Sequence, residues 1–237
     1  MDFFLIDAKY DGEVALSEDV LRHLSNFDTV AVYSSIQFVG GVNGIVETLE
    51  KNGIKTITSQ PDRTSAKYQI LGCDCDWKNL NLTEEPDAFL YVGDGEFHPR
   101  ALILAQRNRN FKKVVQYNPI SQKLKIFSIE DIDRILKKHK SALMKFMNAK
   151  TIGILVTTKP GQMQMGVAKK ISKKHEDKKF CFFVDNNINY GSLEDFPFID
   201  AWINTACPRI GFDDLETIPA VMLNVNDALD AEEILKT

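Results

Sequence analysis

The sequence predicts an α/β protein with parallel sheets, and three features of the chain lead to that prediction. Short runs of apolar and β-branched residues recur along it, amphipathic helical segments lie between several of them, and no low-complexity linker interrupts them. Strands that are apolar throughout are typical of parallel sheets covered on both faces. Strands that alternate with helices predict βαβ units with right-handed crossovers. We therefore predict two flavodoxin-like layers, each a short parallel sheet flanked by helices.

Six segments fit the strand pattern and three fit an amphipathic helix. The strand segments are residues 29–36, 54–58, 88–92, 113–117, 151–156 and 179–184. The helical segments are residues 39–51, 129–147 and 162–174. The second helix follows Ser128, with Asp131 three residues later, which is a typical helix start. Because the strand and helix order restarts after it, we predict one domain over residues 15–127 and another over residues 128–237.

Composition narrows the possible function classes. The chain has 237 residues with 29 basic and 33 acidic side chains, a formal net charge of −4. This balance argues against a protein that binds nucleic acid directly through a broad basic surface. No segment reaches the ~20 apolar residues that a membrane span needs, so no membrane partner is expected. Four cysteines without a signal-peptide pattern predict reduced thiols and a cytoplasmic location.

Two cysteines stand where strands are predicted to end, and they could ligate a metal. Cys73 follows Gly72 in QILGCDC, and Cys207 precedes Pro208 in TACPR. They lie far apart in the sequence, so no local CxxC spacing supports a metal site by itself. Cys75 lies two residues beyond Cys73, and the sequence leaves open whether it is a third ligand or a surface thiol.

The remaining cysteine and three of the four histidines are predicted to have structural or solvent-exposed roles. Cys181 lies in the apolar run KFCFFV, which predicts a small buried residue of the core. His23, His139 and His175 lie in charged helical stretches and are predicted to be surface residues.

Two loops after predicted strands carry candidate cofactor-binding residues. Asp94 and His98 lie in GDGEFHP, although His98 could equally cap the next helix or pack on Phe97. Lys159 and Gln162 lie in TTKPGQ, where a helix start, a cation and an amide could hold an anionic group. Ligands of open α/β sheets bind outside the carboxyl ends of the strands, where both loops are expected.

Several enzyme classes are disfavoured because their motifs are missing from the sequence. It contains no GxSxG elbow, no HExxH zinc motif and no GxGxxG after the first strand. The TTKPGQ loop also lacks the spacing of a nucleotide-binding P-loop.

Four motifs, taken in order, resemble one known family. QILGCD, YVGDGEFHP, LVTTKPGQ and NTACPRIGFDD resemble the archaeal and eukaryotic radical enzymes of diphthamide synthesis, and the resemblance covers nearly the whole chain. It implies a 3-amino-3-carboxypropyl transferase that modifies a histidine of translation elongation factor 2. It also implies S-adenosylmethionine and a 4Fe-4S cluster as cofactors, with cleavage between the sulfur and the γ-carbon.

The resemblance also implies roles for individual residues. In the family three similar α/β domains each supply one cysteine to the cluster; Cys73 matches the middle-domain ligand and Cys207 the last-domain ligand. Lys159, Gln162 and Arg209 are then expected to contact the cofactor carboxylate, because cations and helix N–H groups favour anions. Loop stabilisation and ordinary surface charge remain the alternative for these three.

The family's first domain is expected to be missing from this sequence. Residues 1–14 resemble the strand region that closes that domain, so its cysteine has no counterpart. Two thiolates under-ligate a cluster, so we expect the third ligand from a partner chain, in a homodimer or heterodimer, or from Cys75. The alternative function is a cluster-free paralogue that acts as a binding or scaffolding subunit.

Overall fold

The computed structural model describes residues 8–74, 76–213, 218 and 220–236. The chain divides into two compact units, the first ending at Ile132 and the second beginning at Asp133. Both units contain a sheet with helices, which confirms the predicted α/β fold with parallel sheets flanked by helices. None of the helices in the described residues is long and apolar enough to cross a membrane.

Unit 1 is built on a five-stranded sheet with the strand order β2-β1-β3-β4-β5. Its elements are α1 (Glu18–Leu24), β1 (Thr29–Ser34), α2 (Val42–Lys51), β2 (Lys55–Ile57), β3 (Ala88–Val92), α3 (Phe97–Leu104), β4 (Lys113–Asn118) and β5 (Lys123–Phe127). Short 3-10 helices occupy Val39–Gly41, Trp77–Leu80 and Ile129–Ile132. The first four strands pair in parallel, and every residue of β3 is buried, as its apolar sequence predicts.

The fifth strand is an antiparallel addition that the apolar-run criterion misses. Its sequence KLKIF alternates lysine with apolar residues, as expected for an edge strand. The turn before it is stabilised by Asn118, whose side-chain oxygen accepts hydrogen bonds from the N–H groups of Ile120 and Ser121 at 2.9 and 3.2 Å. Gln122 adopts a left-handed conformation with φ 53°, and the chain then returns alongside β4.

Unit 2 is built on a four-stranded parallel sheet with the order β7-β6-β8-β9. Its elements are α4 (Asp133–Asn148), β6 (Thr151–Thr157), α5 (Met165–Lys174), β7 (Lys179–Asp185), β8 (Ala201–Asn204), α6 (Ile210–Asp213), β9 (Met222–Asn224), α7 (Val225–Leu229) and α8 (Ala231–Ile234). A 3-10 helix covers Gly191–Asp195. Apolar side chains of α4, α5 and α7 pack with those of β6, β8 and β9 in one core cluster.

The prediction that Cys181 is a buried core residue is wrong. β7 is an edge strand of the sheet, and Cys181 is only half-buried there. Phe182 and Val184 on the same strand are 41% and 52% exposed. An apolar sequence therefore identified the strand but could not distinguish an edge position from a central one.

The predictions that His139 and His175 are surface residues are also wrong. Both side chains are buried in unit 2. The His139 Nε2 atom lies 3.3 Å from a carboxylate oxygen of Asp227, and the His175 ring packs edge-on against Phe146. Lysines such as Lys140 and Lys174, each next in sequence to one of these histidines, are exposed, whereas the histidines face the interior. His23 is partly exposed.

Candidate metal centre and cofactor site

Unit 1 carries Cys73 at the point where the strand order reverses. Strands β2 and β3 lie on opposite sides of β1, so the loops that follow β1 and β3 leave a crevice at their carboxyl ends. The loop bearing Cys73 is attached beside β1: the Ser34 N–H donates to the Tyr68 carbonyl at 2.8 Å, and the Ile70 N–H donates to the Ser34 carbonyl at 3.0 Å. Cys73 thus follows directly from a segment tied to the end of β1.

A buried carboxylate anchors the turn that contains Cys73. Asp74 is fully buried and accepts hydrogen bonds from the Arg63 N–H at 2.6 Å and from the Asn79 side-chain amide at 2.9 Å. The Asp74 N–H donates to the Leu71 carbonyl at 2.9 Å and closes the turn. Burial raises the pKa of Asp74 above its ordinary value, although the two accepted hydrogen bonds act in the opposite direction.

A close contact joins the Cys73 loop to the start of α3. A Cβ atom placed on Gly72 would lie 2.1 Å from the Phe97 ring, so a larger residue at this position would displace that ring. Phe97 is the first residue of α3 and follows the loop after β3. The turn that carries Cys73 therefore lies over the crevice between β1 and β3.

The loop after β3 contains the predicted residues Asp94 and His98. Hydrogen bonds from Gln116, in the neighbouring strand β4, hold its backbone. The Gln116 side-chain amide donates to the carbonyls of Gly93 and Gly95 at 3.1 and 2.9 Å. Asp94 is exposed between those two glycines. The half-buried His98 places Nδ1 3.0 Å from the Tyr91 hydroxyl, and its ring stacks on that of Tyr91.

The His98 ring also contacts the Phe97 ring edge-on, as the alternative structural role of this histidine predicts. A cofactor contact through Asp94 or His98 remains a prediction.

In unit 2 the predicted residues flank the corresponding crevice, between β6 and β8. Lys159 is exposed and Gln162 is half-buried in the loop after β6. The helix predicted from residue 162 begins only at Met165, because Gly161 has a left-handed φ of 75° and Gln164 is not helical. The Gln162 N–H instead donates to the Lys159 carbonyl at 3.1 Å in a turn. Both side chains precede the helix rather than lying in its first turn.

The loop after β8 carries Cys207 and is attached to both neighbouring strands. The Thr205 N–H and hydroxyl donate to the Leu155 carbonyl of β6 at 3.1 and 2.8 Å. On the other side, the side-chain amide of Asn224 at the end of β9 donates to the Pro208 carbonyl at 2.6 Å.

The side-chain amide of Asn204, in β8 itself, donates to the Cys207 carbonyl at 2.8 Å. Cys207 itself is half-buried, and Arg209 is buried, so Arg209 is not an ordinary surface charge.

In each unit, one thiol and some of the predicted cofactor-binding residues therefore lie in loops at the same end of the sheet. Cys73, Cys181 and Cys207 are reduced thiols. Within the described part of the chain, no group of three or more His, Cys, Asp or Glu side chains forms a complete metal site. Cys75 lies outside the described residues. Thiolates are the protein ligands that iron–sulfur clusters use, and a single thiolate in either unit needs further ligands to hold a cluster.

Sequence reasoning misses the polar residues that position these loops. Asp74, Gln116, Asn204 and Asn224 are all buried, and each bonds to loop backbone near a candidate residue. A polar residue inside or next to an apolar strand, as in VVQYN and WINTAC, was the available signal. Its hydrogen-bond partners lie in other segments and are visible only in the fold.

Comparison with known proteins gives the family. The family model for diphthamide synthesis proteins matches residues 4–231. The chain belongs to the diphthamide synthesis protein family. The 2-(3-amino-3-carboxypropyl)histidine synthase of Pyrococcus horikoshii is 33% identical over 189 residues, which cover 78% of this chain and 52% of that protein. Subunit 1 of the same synthase from Schizosaccharomyces pombe is 28% identical over 98% of this chain and 53% of that protein.

A solved structure supports the same assignment. The crystal structure of Dph2 from Pyrococcus horikoshii with a 4Fe-4S cluster matches with a TM-score of 0.72 and 26% identity. The match covers 92% of this chain and 61% of the Dph2 chain. This member of the diphthamide synthesis family thus spans about half the length of the curated relatives it matches.

Proposed function

We propose that this chain acts in diphthamide synthesis as a cluster-binding subunit of a 3-amino-3-carboxypropyl transferase. The observation that carries the proposal is the position of Cys73 and Cys207. Each is a reduced, half-buried thiol at the carboxyl edge of a sheet, where the strand order reverses and open α/β folds bind their ligands. The solved Dph2 relative contains a 4Fe-4S cluster.

In this proposal the substrates are S-adenosylmethionine and a histidine of elongation factor 2, in the cytoplasm. Cys73 and Cys207 ligate the cluster as thiolates. When bound, the cluster supplies the electron and the open iron position for the cofactor. The chain's own groups then orient the cofactor: Lys159 offers an exposed cation, and Gln162 offers an amide for a carboxylate. Arg209 adds a buried cation two residues from Cys207.

A third thiolate is needed to leave one iron open, and we propose that a partner chain supplies it. The described residues hold no further cysteine near Cys73 or Cys207 in the sequence, and Cys75 lies outside them. The relatives that are named subunit 1 belong to a synthase with more than one subunit. A homodimer or a heterodimer satisfies the requirement.

The deciding experiment is an anaerobic iron and sulfide assay on the chain alone and with candidate partner chains. We expect Cys73→Ala and Cys207→Ala to lose bound iron and the broad visible absorption of a thiolate-ligated cluster. The matched control is Cys181→Ala, since this thiol lies on the edge strand β7 and should be dispensable. Retention of wild-type iron by both Cys73 and Cys207 variants would refute the ligand assignment.

The same assay separates the remaining alternatives. A lone wild-type chain with a full cluster that Cys75→Ala abolishes would identify Cys75 as the third ligand. No iron in the wild-type chain with any partner would favour the cluster-free scaffolding subunit.

Cofactor binding is tested with S-adenosylmethionine itself. Calorimetric titration of the reconstituted protein should show weaker binding for Lys159→Ala and Gln162→Ala, without a matching loss of folding stability. Lys169→Ala, on the solvent side of α5, is the control for removal of a positive charge. Unchanged affinity in both loop variants would leave these residues with a structural role.

A further inference from the structure

We propose that the buried side chains of Asn204 and Asn224 position Cys207 for cluster ligation. Together with Gly211 they form what we call the asparagine clasp. The proposal extends the proposed function, because it assigns residues that determine where one cluster ligand lies. Neither asparagine is a candidate ligand, so both are positioning residues.

The clasp is built by the register of two strands. Asn204 is the last residue of β8 and pairs directly with Asn224, the last residue of β9. Directly paired residues of parallel strands point to the same face of the sheet, so the two side chains meet. They are 1% and 6% exposed, and the Asn204 amide donates to the Asn224 side-chain oxygen at 2.8 Å.

The two amides hold consecutive carbonyls on the Cys207 loop. Asn204 donates to the Cys207 carbonyl at 2.8 Å, and Asn224 donates to the Pro208 carbonyl at 2.6 Å. The Asn204 side-chain oxygen also accepts the Ala206 N–H at 3.0 Å. Backbone groups on both sides of the Cys207 Cα are therefore held, which fixes the direction of the Cα–Cβ bond and limits the positions that the thiol can reach.

Only a carboxamide satisfies all of these bonds. A carboxylate can accept a hydrogen bond but cannot donate one, so aspartate would face the two loop carbonyls with unpaired oxygens. An apolar side chain would leave buried carbonyls without donors, which is costly away from water. Strand formation at these positions requires neither amide, because the sheet ladder uses the backbone groups alone.

Gly211 is the third part of the clasp. A Cβ atom on Gly211 would lie 2.5 Å from the Asn224 side-chain oxygen and 2.7 Å from its amide carbon. The short helix α6 therefore approaches the Asn224 amide closely enough to confine it. Gly211→Ala should displace the amide without changing any hydrogen-bonding group.

The test uses Cys73, Cys181 and Cys207, the reduced cysteines among the described residues, as internal reporters. Alkylation of the folded protein, followed by mass spectrometry, measures the rate at Cys73, Cys181 and Cys207 separately. We expect Asn224→Asp, Asn204→Asp and Gly211→Ala to increase the Cys207 rate by about tenfold, as expected for losing one buried hydrogen bond from a closed loop. The rates at Cys73 and Cys181 should stay unchanged.

Cys181 distinguishes positioning from general destabilisation, because it lies on β7 of the same unit. The control variant Ile203→Val removes one buried methylene group next to Asn204 and leaves the hydrogen bonds of the clasp unaltered. It should leave the Cys207 rate near that of the wild type. An unchanged Cys207 rate in the clasp variants, or a parallel increase at Cys181, would overturn the proposal.

A second measurement connects the clasp to the cluster. Reconstituted Asn224→Asp protein should show an altered electron paramagnetic resonance signal compared with the wild type and with Ile203→Val. An unaltered signal would overturn the role in ligation. If the wild-type chain binds no cluster with any partner, the proposed function fails, and the alkylation rates still decide whether the clasp positions Cys207.

Discussion

Individual polar residues fix the two cysteine loops through their backbones. Asp74 and Asn79 hold the turn at Cys73, whereas Asn204 and Asn224 hold the loop at Cys207. A loop that carries a reactive side chain gains rigidity in this way, and these hydrogen bonds do not involve the thiol. Buried polar groups near a site can thus serve its geometry while their own hydrogen bonds remain satisfied.

Gly72→Ala should disturb the Cys73 site more than it disturbs folding. The added methyl group would collide with the Phe97 ring, which is 46% exposed and can turn away, so we expect a loss near the lower end of the about 1–3 kcal/mol typical of overpacking. Iron binding should fall more than stability does, because the displaced ring no longer supports the turn and even a small shift of the turn moves Cys73. Denaturant unfolding and iron content measure the two effects.

A double variant checks the cause of that loss. Phe97→Ala removes the ring that the new methyl group meets, so Gly72→Ala combined with Phe97→Ala should regain iron relative to Gly72→Ala alone. A double variant as defective as the Gly72→Ala chain would show that the contact with Phe97 is not the cause.

Asp200 should give unit 2 a stability that depends on pH. Its carboxylate accepts the N–H groups of Thr151 and Lys150 at 2.8 and 2.9 Å. These bonds, that from Thr151 first, lower the pKa of Asp200 below its ordinary 3.8. The stabilisation is therefore present above pH 3.8 and is lost as the pH falls through the lowered pKa.

Urea unfolding at neutral and acid pH tests this assignment. Asp200→Ala should be less stable than the wild type at pH ~7, and the difference should shrink at pH ~2.5. The exposed Asp195 provides the control, because Asp195→Ala removes a carboxylate from the same unit. A difference that is equal at both pH values would contradict the role of the Asp200 charge.

At the scale of elements, apolar runs predict β1 to β4, β6 and β7 and miss β5, β8 and β9. Strands β8 and β9 are buried, but with four and three residues they are too short to stand out as apolar runs. Central strands such as β3 and β6 are apolar along nearly their whole length, so composition alone identifies them. The edge strands β5 and β7 face solvent on one side, and their sequences do not show which neighbours they have. The start of α5 depends on the backbone conformations at Gly161 and Gln164, which helical periodicity does not report.

The candidate site shows the same division. The prediction that Cys73 stands at a strand end is wrong, because it lies in the loop between β2 and β3, which pairs with β1 through an isolated bridge between Gln69 and the last residue of that strand. Cys207 could be placed after a strand from the sequence, because it follows β8, which ends at Asn204. The clasp and the Gly72 contact could not, since their partners come from distant segments of the chain.

Two glycines near the start of α5 should respond to alanine with opposite signs. Gly161 has φ 75°, a left-handed conformation that costs an alanine about 1–2 kcal/mol, so Gly161→Ala should destabilise unit 2. Gly166 lies in α5 with open space around it, so Gly166→Ala should stabilise by about 0.4–1 kcal/mol. Thermal or urea unfolding measures both, and a common sign would contradict this placement of the helix start.

At the scale of the whole molecule, the two units repeat one scaffold. Asp87 directly precedes β3 and accepts the Thr29 N–H at the start of β1, just as Asp200 precedes β8 and accepts the Thr151 N–H at the start of β6. The thiols nevertheless occupy non-equivalent loops: Cys73 lies between the second and third strands of its unit, and Cys207 follows the third strand of its own. A repeated scaffold thus carries two differently built cysteine loops.

Because each unit has its own core, we expect the units to unfold in separable transitions. The two tryptophans of the chain report one unit each: Trp77 lies in unit 1, and Trp202 lies in β8 of unit 2. Single-tryptophan proteins made by Trp77→Phe or Trp202→Phe therefore follow one unit by fluorescence.

The core of each unit offers a matched substitution for this test. Leu90 and Ile154 are fully buried in the central strands β3 and β6, so truncation of either to alanine should cost about 2–5 kcal/mol. Leu90→Ala should lower the urea midpoint reported by Trp77 and leave that of Trp202 in place, while Ile154→Ala should do the reverse. Equal shifts of both reporters by either substitution would mean that the chain unfolds as a single cooperative body, with stability shared between the two sheets.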